Sequence, residues 1–258
     1  MEIAYHKGYS HSLGRDMEYK RYGHAGRPVV IFPTSQGRFY QFEDSGGVGA
    51  LAEFIDTGRI QLFTVDGIDS ESFFNKHADV AGRIARHEAY FRYIREEALP
   101  ELVGTAAASN GQRWLKPVFS GCSMGGFHSS NFVFRHPDLA SGVIALSGVY
   151  STQDFFGDAL DGDIYFNSML NYLPGLSDEG TLARLRDLRL IFCCGQGAWE
   201  ERMLADTRVL EKILREKGIP AWVDYWGGDV SHDWPWWQKQ LPYFFGRWLD
   251  EDLKHRLA

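Results

Sequence analysis

Short apolar runs alternating with longer segments of helical periodicity are the feature that most restricts what this chain can become. Strands are expected at Arg15–Tyr22, where charged and apolar residues mix as on a sheet edge, and at Pro28–Phe32 and Ile60–Val65. Further strands are expected at 117–120, Gly142–Leu146, Leu188–Cys193 and Pro220–Trp226. Between them fall helical segments near Val48–Ile55, from Asp79 to about Leu102, and at Gly125–Phe134, Met203–Lys217 and Trp234–Leu249. Pro235 suits the first turn of the last helix, where no backbone N–H is needed. Buried strands separated by helices of this length require a mostly parallel sheet covered by helices on both faces.

A chain of 258 residues has room for one large α/β domain, and a single domain over 1–258 is expected. The stretch 150–187 breaks the alternation and carries Phe155, Phe156, Tyr165, Phe166 and Tyr172. It reads as a small helical cap inserted over the carboxyl edge of the sheet, where open α/β folds bind ligands.

The formal charge of −7 argues against nucleic acid or an anionic membrane as partner, since both require a basic face. No apolar run is long enough to span a bilayer, and Met1–Lys7 lacks the apolar stretch of a signal peptide. Only three cysteines occur, two of them adjacent (Cys193 and Cys194), so no disulfide framework is expected and a reducing cytoplasm is the expected location.

Gly121-Cys122-Ser123-Met124-Gly125 is a G-x-S-x-G pentapeptide placed directly after an apolar strand and at the opening of a helix. A serine at so sharp a strand-to-helix turn is held in a strained backbone conformation, and side chains two residues away on either side would collide there. Glycines at 121 and 125 remove both collisions, and Gly126 lets the helix pack closely. Ser123 is thus the candidate nucleophile of an α/β-hydrolase fold, with the Met124 backbone N–H as an oxyanion donor.

In that fold an acid and then a histidine follow the serine in the chain. Four histidines lie downstream: His128, His136, His232 and His255. His128 is one turn into the elbow helix, His136 ends it, and His255 lies in a charged terminus. His232, in the loop between the last strand and the last helix, is the candidate base. The acid belongs just past the strand that ends at Cys193, where Glu200 and Glu201 both qualify. Glu200 is favoured, although two glutamates in a first helical turn also suit the helix dipole for stability alone. Trp199, Trp234, Trp236 and Trp237 flank these loops, either to stack on a substrate ring or simply to pack on the sheet.

With these residues the chain resembles the putative esterase family of α/β hydrolases, which includes esterase D-like enzymes and the mycolyltransferases. The likeness runs from about Asp16 to Leu249. It is carried by Val29-Val30-Ile31-Phe32-Pro33, by Gly121 to Gly126, by Arg135-His136-Pro137-Asp138, by Ala145-Leu146-Ser147-Gly148 and by Ser231-His232-Asp233-Trp234. The resemblance implies Ser123 as nucleophile, His232 as base and an acid after the strand ending at Cys193. Many relatives read Gly-x-x-Asp there; Gly197-Ala198-Trp199-Glu200 keeps that spacing, whereas counting from the mycolyltransferases points to Glu201. It also implies a second oxyanion donor in the loop after Phe32, placed by spacing at the Gln36 backbone N–H, with Ser35 next in line.

The expected chemistry is cleavage of a small-molecule carboxylic ester through an acyl-serine, with no metal and no cofactor. Two alternatives are an acyltransferase using the same residues and a hydrolase-fold binding module without catalysis. Gly47-Val48-Gly49-Ala50-Leu51-Ala52 matches a dinucleotide-binding string but lacks the strand that must precede it, and His87-Glu88 lacks the second histidine of a zinc site.

Overall fold

The computed structural model describes residues 1–160 and 162–257, the last seven through their backbone alone. Eight strands form one sheet: β1 (Ile3–Ser10), β2 (Arg15–Tyr22), β3 (Arg27–Phe32), β4 (Ile60–Val65), β5 (Val118–Cys122), β6 (Gly142–Leu146), β7 (Arg189–Cys194) and β8 (Trp222–Tyr225). Their order is β1-β2-β4-β3-β5-β6-β7-β8. β1 and β2 are antiparallel, as are β2 and β4, and from β4 through β8 every pairing is parallel. The chain steps back from β4 past β3 to reach β5, so the order reverses at β3, and a crevice opens beside its carboxyl end.

The central strands are buried on both faces because each face carries helices. Val30, Phe32, Phe119, Val143 and Phe192 pack into one cluster with Tyr90, Phe91, Leu102, Phe132 and Leu210. Their strand neighbours Val29, Ile31, Val118, Ile144 and Ile191 pack into the other, with Leu51, Phe54, Leu241, Phe244 and Trp248. This period-two division is what parallel strands sandwiched between helical layers must show.

Three expectations change. Arg15–Tyr22 is not the sheet edge, because β1 pairs along its whole length from Ile3↔Tyr22 to Ser10↔Arg15. β1 escapes a sequence reading because only Ser10 in it is buried, so it has no apolar face to produce an alternation. The helix opened by Asp79, whose Oδ1 accepts from Gly82 N at 2.7 Å, does not stop at Leu102. It passes through a π-helical turn at Ile94–Ala98 and continues as Leu99–Ser109, with Pro100 tolerated in the first turn. The helix expected near Val48–Ile55 is two short helices, Gly47–Ala50 and Ala52–Asp56, broken at Leu51, and as expected a helical turn, Gln41–Asp44, and not a strand precedes them.

Four short helices, Gln153–Phe156, Asp163–Asn167, Met169–Gly175 and Glu179–Arg186, fill the stretch between β6 and β7. Phe155 and Phe156 set their rings against Phe73, in the loop after β4, at 5.0 and 5.1 Å. Asn167 is buried where His87 Nε2 (3.0 Å), Asn131 Nδ2 and the Arg135–Glu88 ion pair converge. None of the helices, among the described residues, is long and apolar enough to cross a membrane.

This buried polar cluster makes the fold acid-sensitive. Burial, reinforced by His128 and Arg135, holds the His87 imidazole well below its ordinary value. Burial and Arg135 likewise bring His136 down to about 4. Burial pushes Glu88 up, but Arg135 outweighs it and leaves that carboxyl below its usual range. Each group takes up protons more readily unfolded than folded, so each contribution is complete above its unfolded pKa and lost as pH falls. Between pH 6.5 and 5 only the histidines contribute to this loss. The melting temperature is expected to fall by roughly 5 °C over that interval, and His136→Asn should reduce the slope. Thermal scans at fixed ionic strength check this, and a flat profile would contradict it.

Candidate active site

β5 runs into the helix Met124–Arg135 with Ser123 alone between them, at φ 57° and ψ −121°. That region is costly for any residue with a Cβ, and its neighbours hold it in place. Ser123 N donates to Leu146 O at 2.9 Å, and Phe127 N donates to Ser123 O at 3.2 Å. A Cβ at Gly121 would stand 2.5 Å from the Gly125 carbonyl, and one at Gly125 would stand 2.4 Å from Phe32 O. The glycines are therefore required by backbone packed against backbone, where nothing can yield. Gly126 serves a similar end, approaching Gly148 in the loop after β6.

His232 lies in the loop between β8 and the helix Trp234–Leu257, with Nε2 2.9 Å from Ser123 Oγ. Its Nδ1 stands 3.3 Å from Glu200 Oε2. The loops bearing these two residues are fastened together: His232 N donates to Ala198 O at 3.0 Å, and Gly197 N to Val230 O at 2.8 Å. A Cβ at Gly195 would meet Val230 O at 2.3 Å, so this loop also depends on glycine for a close backbone approach.

Glu200 is fully buried. Ser147 Oγ donates to its Oε1 at 2.5 Å and in turn accepts from Trp237 Nε1 at 3.1 Å. Trp237 also sets its ring edge-on to His232 at 4.9 Å. Of the two carboxylates the sequence leaves open, Glu200 is the one that meets the imidazole. Glu201 begins the helix Glu201–Glu216 and is exposed.

The other histidines lie elsewhere. His128 is buried with Nε2 2.8 Å from Asp69 Oδ1, His136 caps the end of the elbow helix, and the side chain of His255 is outside the described residues. Burial raises the thiols of Cys122, Cys193 and Cys194, so none competes as a thiolate. Among the described residues no group of His, Cys, Asp or Glu is arranged to hold a metal ion.

Met124 opens the elbow helix, so its N–H has no acceptor within that helix. The Gln36 amide, the second donor expected from the sequence, has a partner of its own. Gln36 has φ 56°, and its N–H donates to Asp69 Oδ2 at 3.2 Å. The neighbouring Ser35 N–H makes no hydrogen bond among the described residues. Ser35 follows Phe32 and Pro33, whose carbonyls lie against the position of Gly125, so this loop sits on the elbow.

The tryptophans divide. Trp237 is buried, Trp234 packs edge-on against Trp237 and Phe42, and Trp236 lies beneath the Lys239 ammonium. Trp199 alone of the four is open, 79% exposed with a backbone φ of 68°. The sequence assigns no individual role to Ser147 or Asp69, whose one signal is that they follow strands at the sheet's carboxyl edge. It leaves Trp237 between stacking on a substrate and packing on the sheet, of which the structure shows packing against His232 and Ser147.

Residues 10–247 match the family model described as Putative esterase. Among proteins of curated function none matches the chain in sequence. Several solved structures share its fold. A ferulic acid esterase superposes with a TM-score of 0.72 at 17% identity, covering 93% of this chain and 95% of its own. Mycobacterium tuberculosis MPT51 (FbpC1) gives 0.68 at 16% identity, covering 97% and 98%. An S-formylglutathione hydrolase from Agrobacterium tumefaciens gives 0.64 at 14% identity, covering 98% and 93%.

Proposed function

The chain belongs to the Putative esterase family, and from that premise we propose that it hydrolyses carboxylic esters through an acyl intermediate on Ser123. The contact that supports this most is Ser123 Oγ 2.9 Å from His232 Nε2, with Glu200 behind the imidazole. In the first step Ser123 Oγ attacks the ester carbonyl carbon while His232 Nε2 takes its proton. Glu200 accepts from Nδ1–H, which fixes the tautomer and stabilises the imidazolium. The carbonyl oxygen, now negative, receives the N–H of Met124 and a second N–H from the loop after β3. We place that second donor at Ser35, since the Gln36 amide is engaged by Asp69. Collapse expels the alcohol, which takes the proton from His232, and water activated by the same imidazole then releases the acid.

Hydrolysis is preferred over acyl transfer because Ser123 is only partly buried and Ser35, Gln36 and Trp199, in loops at the same edge of the sheet, are exposed, leaving water access. A binding module without catalysis would gain nothing from a strained serine hydrogen-bonded to an imidazole. We take 1–258 as one domain with 150–187 as its cap. A cytoplasmic location fits the three free cysteines. For the acid, Glu200→Gln is expected to reduce kcat on p-nitrophenyl acetate by about 100-fold or more, and Glu201→Gln by less than about twofold. Steady-state kinetics with the reverse ranking would transfer the role to Glu201.

An exposed indole on a left-handed backbone, beside the carboxylate that meets His232, provides a flat face for an aromatic ring. One protein of similar fold carries the name ferulic acid esterase, and we propose esters of aromatic acids as substrates here. Trp199→Ala is expected to raise KM for methyl ferulate about fivefold while leaving methyl butyrate unchanged. An unaltered ratio between the two esters would remove Trp199 from substrate binding.

A further inference from the structure

A second carboxylate–imidazole pair lies behind the site, outside the chain of contacts from Ser123 to Glu200. Asp69 stands in the single helical turn Asp69–Glu71, in the loop after β4, and is 3% exposed. Its two oxygens go to different elements. Oδ1 is 2.8 Å from Nε2 of His128, one turn into the elbow helix, and Oδ2 accepts the Gln36 amide at 3.2 Å.

His128 is 2% exposed and stands among the rings of Phe32, Phe73, Tyr90 and Phe91, with the His87 imidazole stacked 5.5 Å away. Among the described residues its Nδ1 has no hydrogen-bond partner. An apolar ring would pack in that cage without leaving a nitrogen unsatisfied. What an imidazole adds there is the Nε2–H aimed at Asp69. That hydrogen bond assigns Nδ1 as the bare nitrogen, consistent with its lack of a partner.

The arrangement addresses a mechanical problem. The two amides that would receive the oxyanion come from separate elements: Met124 from the elbow helix and Ser35 from the loop after β3. That loop is short, and Gln36 stands in it with a left-handed backbone that a glutamine does not favour. A free loop would relax, and an error of about 1 Å in a donor costs on the order of 100-fold in rate. From this geometry we infer that Asp69 and His128 are positioning residues that tie the oxyanion loop to the elbow helix. The carboxylate holds Gln36 in its left-handed conformation and so turns the adjacent Ser35 N–H toward the carbonyl oxygen. Two other side chains accept from the loop's backbone amides, Gln41 Oε1 from Thr34 N at 2.9 Å and Asp66 Oδ1 from Phe39 N at 3.2 Å, and fix its two ends, with Arg38 paired to Asp66 and Glu18 and a turn bond from Gly37 N to Thr34 O at 2.9 Å within it. Asp69 fixes its middle, and of the three it alone also bonds a side chain of the elbow helix.

The inference rests on the esterase reading, and three variants test it. Asp69→Ala removes both acceptors. Asp69→Asn retains one oxygen. His128→Phe keeps a ring in the aromatic cage but removes the donor. Each is compared with wild type for thermal stability, for kcat and KM on p-nitrophenyl acetate, and for inhibition by an aryl trifluoromethyl ketone, whose adduct carries the oxyanion. The account predicts that Asp69→Ala lowers kcat about 10- to 100-fold with KM within about twofold, and raises the inhibition constant by a matching factor. His128→Phe should move both quantities in the same direction, and Asp69→Asn should recover most of the loss. A merely structural role would lower the melting temperature without linking kcat to the inhibition constant. Folded Asp69→Ala or His128→Phe with kcat and inhibition unchanged, or a change in KM alone, overturns the inference. If Asp69→Ala does not fold, His128→Phe decides by the same criteria. A wild-type protein without turnover would remove the esterase reading and this inference together, whereas wild-type turnover with unaffected variants removes the inference alone.

Discussion

The structure turns on one residue held in a conformation it would not choose. Ser123 sits at φ 57° because β5 ends and the elbow helix begins with no residue to spare. The strain is sustained by backbone pressing on backbone: Gly121 against Gly125, and Gly125 against the carbonyl of Phe32. These contacts leave no room for a methyl group, so β3, β5 and the elbow helix are fixed relative to one another. The serine hydroxyl is thereby presented at the sheet's edge, and the loop after Phe32 is laid across the helix N-terminus. Every other part of the site is placed with respect to that junction.

Parallel strands do the rest. Because β3, β5, β6, β7 and β8 all point the same way, the loops that follow them gather at one edge. Ser35 follows β3, Ser123 follows β5, Ser147 follows β6, Glu200 follows β7 and His232 follows β8. Residues 109 positions apart in sequence, Ser123 and His232, come within hydrogen-bonding distance without any long excursion of the chain. The buried Glu200 is made tolerable by hydrogen bonds from Ser147 and Cys194 as well as from the imidazole. Acids and imidazoles are paired twice at this edge, once with the serine in front and once with the loop after β3 in front.

How much of this the sequence reveals depends on where the determining force is local. The elbow is legible because its glycines answer a steric demand within five residues, and His232 is legible because, downstream of Ser123, the loop before the last helix is the one that follows a strand and carries a histidine. Glu200 and Glu201 are adjacent at a helix start, and which of them faces inward depends on a turn whose preceding residue, Trp199, takes φ 68°; no residue type announces that. The partner of the Gln36 amide is illegible for the same reason, since neither its left-handed backbone nor the distant Asp69 that accepts its N–H is written in the spacing. β1 was missed because a strand held by hydrogen bonds to one neighbour, with almost nothing buried, leaves no hydrophobic rhythm to read.

The central claim is that Ser123 is the group that bonds covalently to substrate, made nucleophilic by His232. A fluorophosphonate, followed by peptide mass mapping, tests it most directly, because the reagent marks only a serine activated in this way. The account predicts a single phosphonyl adduct on the peptide containing Ser123, absent from Ser123→Ala and strongly slowed in a His232 variant. An adduct on another residue, or equal labelling of wild type and Ser123→Ala, would contradict it.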